Sequence, residues 1–109
     1  MSAPFLRPAV RPLVRTAHEP QMLNDLMLDR LTTAKRVAIG LKREGFTVLQ
    51  VLVDAHARPT ITVQHCRRCD ARVQSGQAAY YKWTHGHGGR ETWGQWQVDD
   101  CRVLWVERA

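Results

Sequence analysis

Residues 41–54 read LKREGFTVLQVLVD, and the fold turns on the change of period inside them. Up to Glu44 the apolar residues recur every three or four positions; from Phe46 onward they stand almost side by side. Leu41 closes a stripe of Leu23, Met27, Leu31, Ala34 and Ala38, widened by Leu26 and Val37. That spacing predicts a half-buried helix from about Pro20 to Glu44, with Asp25, Asp29, Arg36 and Arg43 on its other faces. Pro20 suits a first turn, the two aspartates lie toward the positive end of the helix dipole, and Lys42 and Arg43 lie at the negative end. Gly45 is placed to end the helix in the left-handed conformation, with Phe46 folding back on Leu41. The strand that follows, Phe46 to Asp54, is apolar on both faces, which suggests a central strand or one with a covered outer face.

Outward from this stretch, residues 55–59 form a turn and residues 59–65 a shorter strand with Ile61 and Val63 inward. Residues 66–77, CRRCDARVQSGQ, are polar and read as irregular. Residues 79–84 and 91–98 are aromatic-rich strands flanking the loop HGHGGR, Asp99-Asp100 is a turn, and residues 101–107 make a last strand. Short connections imply antiparallel pairing, so the expected class is α+β: one N-terminal helix packed on a four- to five-stranded, mostly antiparallel sheet. Residues 1–19 are set apart by prolines at 4, 8 and 12 and by the pseudo-repeat RPAV-RPLV-R. Proline at every fourth position argues against helix, so these residues are expected to be a flexible Pro/Arg-rich arm ahead of a single domain spanning 20–109. Two alternatives are an extended segment packing Val10, Leu13 and Val14 on the body, and a basic arm touching nucleic acid.

The whole chain of 109 residues has room for one domain, and its 44% hydrophobic content is ordinary for a globular protein. The net charge of +6 divides as +2 in residues 1–21, +2 in 22–45, zero in 46–65 and +2 in 66–109. Spread so evenly, it points only weakly to nucleic acid. Three cysteines are too few, and odd in number, for a secreted disulfide framework, and no apolar run approaches the length of a membrane span. A cytoplasmic location in a bacterial cell is expected.

Cys66-Arg67-Arg68-Cys69 has the spacing of half a tetrahedral metal site; His65, His85, His87 and Cys101 are the candidates to complete it, and the expected zinc set is Cys66, Cys69, His85 and Cys101. A second reading is that the thiols are reduced and simply pack, with no cofactor at all; a third, redox use, is disfavoured because a thioredoxin-like motif belongs beside a βαβ pattern that this chain lacks. The glycines of His85-Gly86-His87-Gly88-Gly89-Arg90 mark a hairpin tip, without the Lys-Ser/Thr ending of a phosphate loop. Trp83, Trp93, Trp96 and Trp105 crowd the last three strands with Tyr80 and Tyr81. Alternation places Tyr81 and Trp83 on one face and Tyr80 and Lys82 on the other, and points Trp93 and Trp96 opposite ways. One helix covers one sheet face, so an outward aromatic surface could meet a protein partner or stack bases. The residues for such contacts are Arg7, Arg11, Arg15, Arg67, Arg68, Arg72, Trp93 and Trp96. With Ser2 and Ser75 the only serines and few carboxylates, no catalytic residue is assigned.

The run Arg43-Glu44-Gly45-Phe46-Thr47-Val48-Leu49, the strand Arg58-Pro59-Thr60-Ile61-Thr62-Val63 and the closing Cys101-Arg102-Val103-Leu104-Trp105 resemble small uncharacterised proteins encoded by temperate bacteriophages and prophages. The resemblance spans about residues 30–106 and implies no activity and no site residues. The expected function is therefore that of a non-enzymatic phage or prophage accessory protein, acting by protein interaction or self-association, as a homodimer for instance. A nucleic-acid-binding protein and a small zinc-stabilised module are the alternatives.

Overall fold

The computed structural model describes the backbone of residues 10–108 and the side chains of residues 21–108. The order is α1 (Val10–Glu44), β1 (Val48–Asp54), β2 (Ala57–Val63), α2 (Arg67–Gln74), β3 (Ala79–Gly86), β4 (Gly89–Val98) and β5 (Cys101–Arg108). The five strands form one sheet in the order β1-β2-β5-β4-β3. All neighbours are antiparallel except β2 and β5, which run parallel, Ile61 beside Val103. The α+β class and the mostly antiparallel sheet expected from the sequence are what the structure has.

The helix-to-strand junction also follows the expectation. Phe46 N–H donates to the Leu41 carbonyl and Gly45 N–H to that of Lys42, both at 3.0 Å, with Gly45 at φ +100°. This pair of bonds is a Schellman ending, and it drives Phe46 into the same buried cluster as Leu41. The cluster fills the space between the sheet and the two helices: Val37 and Leu41 from α1, Phe46, Ile61, Val63, Cys69 from α2, Ala78, Trp96, Cys101, Val103 and Trp105.

Four features depart from the sequence reading. First, α1 begins at Val10, so residues 10–19 are helical where a flexible arm was expected; residues 1–9, including Arg7, lie outside the described residues. Pro12 then falls in the first turn, where amide hydrogens have no partner within the helix, and Pro20 removes only one interior bond. Second, residues 67–74 are a helix instead of an irregular loop, ended by a second pair of Schellman bonds, Gly76 N–H to Val73 and Gln77 N–H to Arg72. Third, β1 lies at the sheet edge and is not central, with Leu49, Val51 and Leu52 exposed. Fourth, a bulge between Tyr80 and Lys82 breaks the alternation of β3. Tyr80 lies against the buried Trp105, whereas Tyr81 and Lys82 both face the opposite side, under Arg102 and over Trp93.

Candidate functional site

A helix of 35 residues is about 52 Å long, whereas the seven-residue strands beneath it span about 23 Å. The mismatch decides what α1 can bury. Ala34, Val37 and Leu41 are buried, and Arg30 Nε donates to the Ala55 carbonyl at 3.1 Å where the β1–β2 turn ends the support. N-terminal to Arg30 the helix overhangs, with Met22, Leu26 and Leu28 exposed. Leu31 and Ile39, on the flank of α1 beside β1, are exposed as well. The stripe read from the sequence as one continuous core face is therefore core only in its C-terminal half.

Between this flank and β1 runs a groove of about 680 Å³. Leu31, Ala38, Ile39, Phe46, Val48 and Val51 line it, and Lys35 and Lys42 stand along its rim. Its lining is nearly all apolar, and the cations are confined to the edge. Such a surface favours an amphipathic segment whose polar side carries acid. The β1 edge beside it is interrupted by two register shifts, between Val48 and Gln50 and between Leu52 and Asp54. Bulges of this kind blunt an edge against strand addition. A helix suits the groove better than a strand.

The cysteines do not assemble the four-ligand set. Cys66 stands at the N-cap of α2, Cys69 is buried in its first turn, and Cys101 is buried at the start of β5. His85 sits at the far end of the β3–β4 hairpin, paired across it with Arg90. Cys66, Cys69 and Val73, at steps of three and four, are the inner stripe of α2, and this apolar spacing was the signal that could have revealed the helix. Burial pushes the Cys69 thiol up to about 12 and raises that of Cys101, so both are held as neutral, packed thiols.

Among the described residues, three ligand-type side chains meet at His65, Asp70 and Glu107, their atoms all within 4.8 Å. Of the three, the sequence offers His65 as a candidate ligand beside the cysteines, and singles out neither Asp70 nor Glu107. His65 Nε2 lies 2.8 Å from Asp70 Oδ1 and 3.4 Å from Glu107 Oε1, and Trp105 Nε1 donates to Glu107 Oε2 at 3.2 Å. A hydrogen bond to the same carboxylate, with burial, pushes the Tyr80 phenol up to about 12. The group ties the segment just after β2, the first turn of α2, the start of β3 and the end of β5 together.

Of the residues named for phosphate or partner contact, Arg67 and Arg68 are exposed, and the side chains of Arg11 and Arg15 lie outside the described ones. Arg72 is turned inward: its guanidinium lies 4.8 Å from the Trp96 ring and 5.3 Å from that of Phe46, and it pairs with Glu44. Trp96 is buried in the core, so neither residue is a surface contact. Trp93 does point the opposite way, but Lys82 Nζ sits 4.7 Å over its ring. Among the described residues the most exposed aromatic is Trp83, at 63%, which is not among the contact residues expected from the sequence. Among the described residues, no helix is long and apolar enough to cross a membrane.

No curated protein matches the chain, and no solved structure does. Residues 17–108 match the model of a family described as an uncharacterised protein, and the chain belongs to that family.

Proposed function

We propose that this protein is a non-enzymatic binding module, working in the bacterial cytoplasm, that docks an apolar helical segment of a protein in the groove between α1 and β1. The observation that carries the reading is the groove itself: an apolar floor from Leu31 to Val51 with a lysine rim, beside an edge strand whose bulges discourage strand addition. The hydrogen-bonded side chains around His65 are engaged with one another, and the outward rings of Tyr81 and Trp93 are capped by Arg102 and Lys82. Both features support a role for the groove ahead of the other surfaces. A small accessory protein of the phage or prophage kind that residues 30–106 resemble would act in this way.

A photo-crosslinking amino acid at Ile39, inside the groove, tests it against the same probe at Gln77, which is exposed elsewhere. Expected are discrete protein adducts at position 39, lost when Lys35 and Lys42 are both changed to glutamate, and none at position 77. Equal labelling at both positions, or none at position 39 in purified protein and in cells, overturns the proposal.

A further inference from the structure

Between residues 22 and 43 the charge along α1 is ordered. Residues 22–29, the part of the overhang next to the sheet, carry Asp25 and Asp29, whereas residues 30–43 carry Arg30, Lys35, Arg36, Lys42 and Arg43. The acidic stretch is also the one whose apolar residues have no sheet beneath them: Met22, Leu26 and Leu28 are exposed, Leu28 by 60%. Thus the chain itself contains a helical segment of the chemistry that the groove's lysine rim selects.

Resting on the reading of the groove as a docking surface, we infer that its occupant is α1 of a second copy, laid antiparallel across a two-fold axis near residues 32 and 33. In that arrangement Leu31 meets the partner's Leu31 and the stem of the partner's Lys35 across the axis, and Leu28 projects between the partner's Lys35 and Ile39. Asp29 comes opposite Arg36, and Asp25 lies within a turn of Lys42 and Arg43. Each pairing of unlike residues occurs twice, as an isologous interface requires. Parallel packing would instead set aspartate beside aspartate and the basic residues beside one another, which is repulsive. Over residues 22–43 the two helices would share about 33 Å of axis. The exposed Leu28, Leu31 and Ile39 would supply its apolar seam.

Light scattering on the full chain, with circular dichroism to confirm folding, tests this. The wild type should run at twice 12.5 kDa at micromolar concentration. Asp25→Lys/Asp29→Lys and Arg36→Glu/Arg43→Glu should each be monomeric alone, with pairing weakened at least about tenfold, and should form a heterodimer when mixed. In a Cys66→Ser background, oxidation should cross-link Thr32→Cys to its copy but leave Met22→Cys without a covalent link, because antiparallel helices keep residue 22 of each copy far apart. A monomeric wild type overturns the self-pairing, and so does a dimer indifferent to the charge reversals or cross-linked through position 22. Adducts still forming at position 39 with another protein would then show that docking survives without self-pairing; their absence too would remove both.

Discussion

Gly94 on β4 lies directly across from Trp105 on β5, and the indole occupies the space that a side chain at position 94 would need. Trp105 is fully buried and packs on Trp96, with ring centroids 5.6 Å apart, and on Tyr80 at 6.0 Å. A Cβ at position 94 would fall within the Trp105 ring, and both partners are held in the sheet. Gly94→Ala should therefore destabilise the fold by about 3 kcal/mol, more than an ordinary glycine replacement in a strand. A urea melt followed by tryptophan fluorescence measures it. Trp105→Phe in the same chain should make the alanine much less costly than it is against the full indole, a coupling that a double-mutant cycle reads directly.

The parts of the fold legible in the sequence are those set by local chemistry. Gly45 and Phe46 announce their helix ending, and Asp99-Asp100 their turn, because the backbone conformation needed there suits few residue types. The α2 helix was hidden because its stability comes from burying Cys66, Cys69 and Val73, while the rest of its surface is polar and reads as loop. The bulge at Tyr81 was hidden because strict alternation assumes that no residue is left over. As for the groove, periodicity located the apolar stripe of α1 but carries no information on where the sheet beneath it stops. That limit depends on the parallel pairing of β2 with β5 and on the length of β1, both long-range properties.

Asp99 and Asp100 occupy the β4–β5 turn at φ 43° and 65°, a two-residue hairpin turn in which both central residues are left-handed. This geometry costs an aspartate less than most residues but more than a glycine. Asp100→Gly should stabilise the protein by about 0.7 kcal/mol and raise Tm by roughly 2–6 °C. Differential scanning calorimetry checks it, and an unchanged or lower Tm would show that the turn is not strained.

Arg72 joins the two helices. Its Nη1 donates to Gln77 Oε1 at 3.0 Å, its other terminal nitrogen pairs with Glu44 at the end of α1, and its plane covers Trp96 and Phe46. Arg72→Ala should cost about 2 kcal/mol, through lost packing and lost bonds together. Lysine should not restore it, because one ammonium cannot reach two divergent acceptors while lying flat on a ring. Glu44→Gln should cost only about 0.5 kcal/mol, since the carboxylate is half exposed. Equilibrium unfolding of the three variants gives the ranking.

Tyr80 and Glu107 make a spectroscopic prediction. The carboxylate favours the protonated phenol by accepting its hydrogen bond and, less, by charge; together with burial this pushes the group up from 10.0 to about 12. In Glu107→Gln both effects weaken, and Tyr80 should ionise closer to 10.0. Ultraviolet titration of tyrosinate should then show one of the two tyrosines moving to lower pH. If both tyrosines titrate as in the wild type, the bond to Glu107 is not what raises Tyr80.

The thiols set the protein's alkaline limit. Cys69 is fully buried, and burial lifts its pKa from 9.0 to about 12; burial also raises Cys101. In the unfolded chain the Cys69 proton leaves near 9.0, while the folded protein keeps it until about 12. Across that window the native state binds more protons than the unfolded one, so stability falls as pH rises from 9.0 toward 12 and is unaffected by this group below 9.0. Urea midpoints should therefore decline over that interval, and Cys69→Ala, although less stable throughout, should show a shallower decline. The same burial predicts the reactivity of the folded protein toward a disulfide reagent at pH near 8. The partly exposed Cys66 should react first, and Cys69 and Cys101 only on unfolding. Rapid modification of all three thiols in the native protein would show that the core around α2 and the start of β5 is open to solvent.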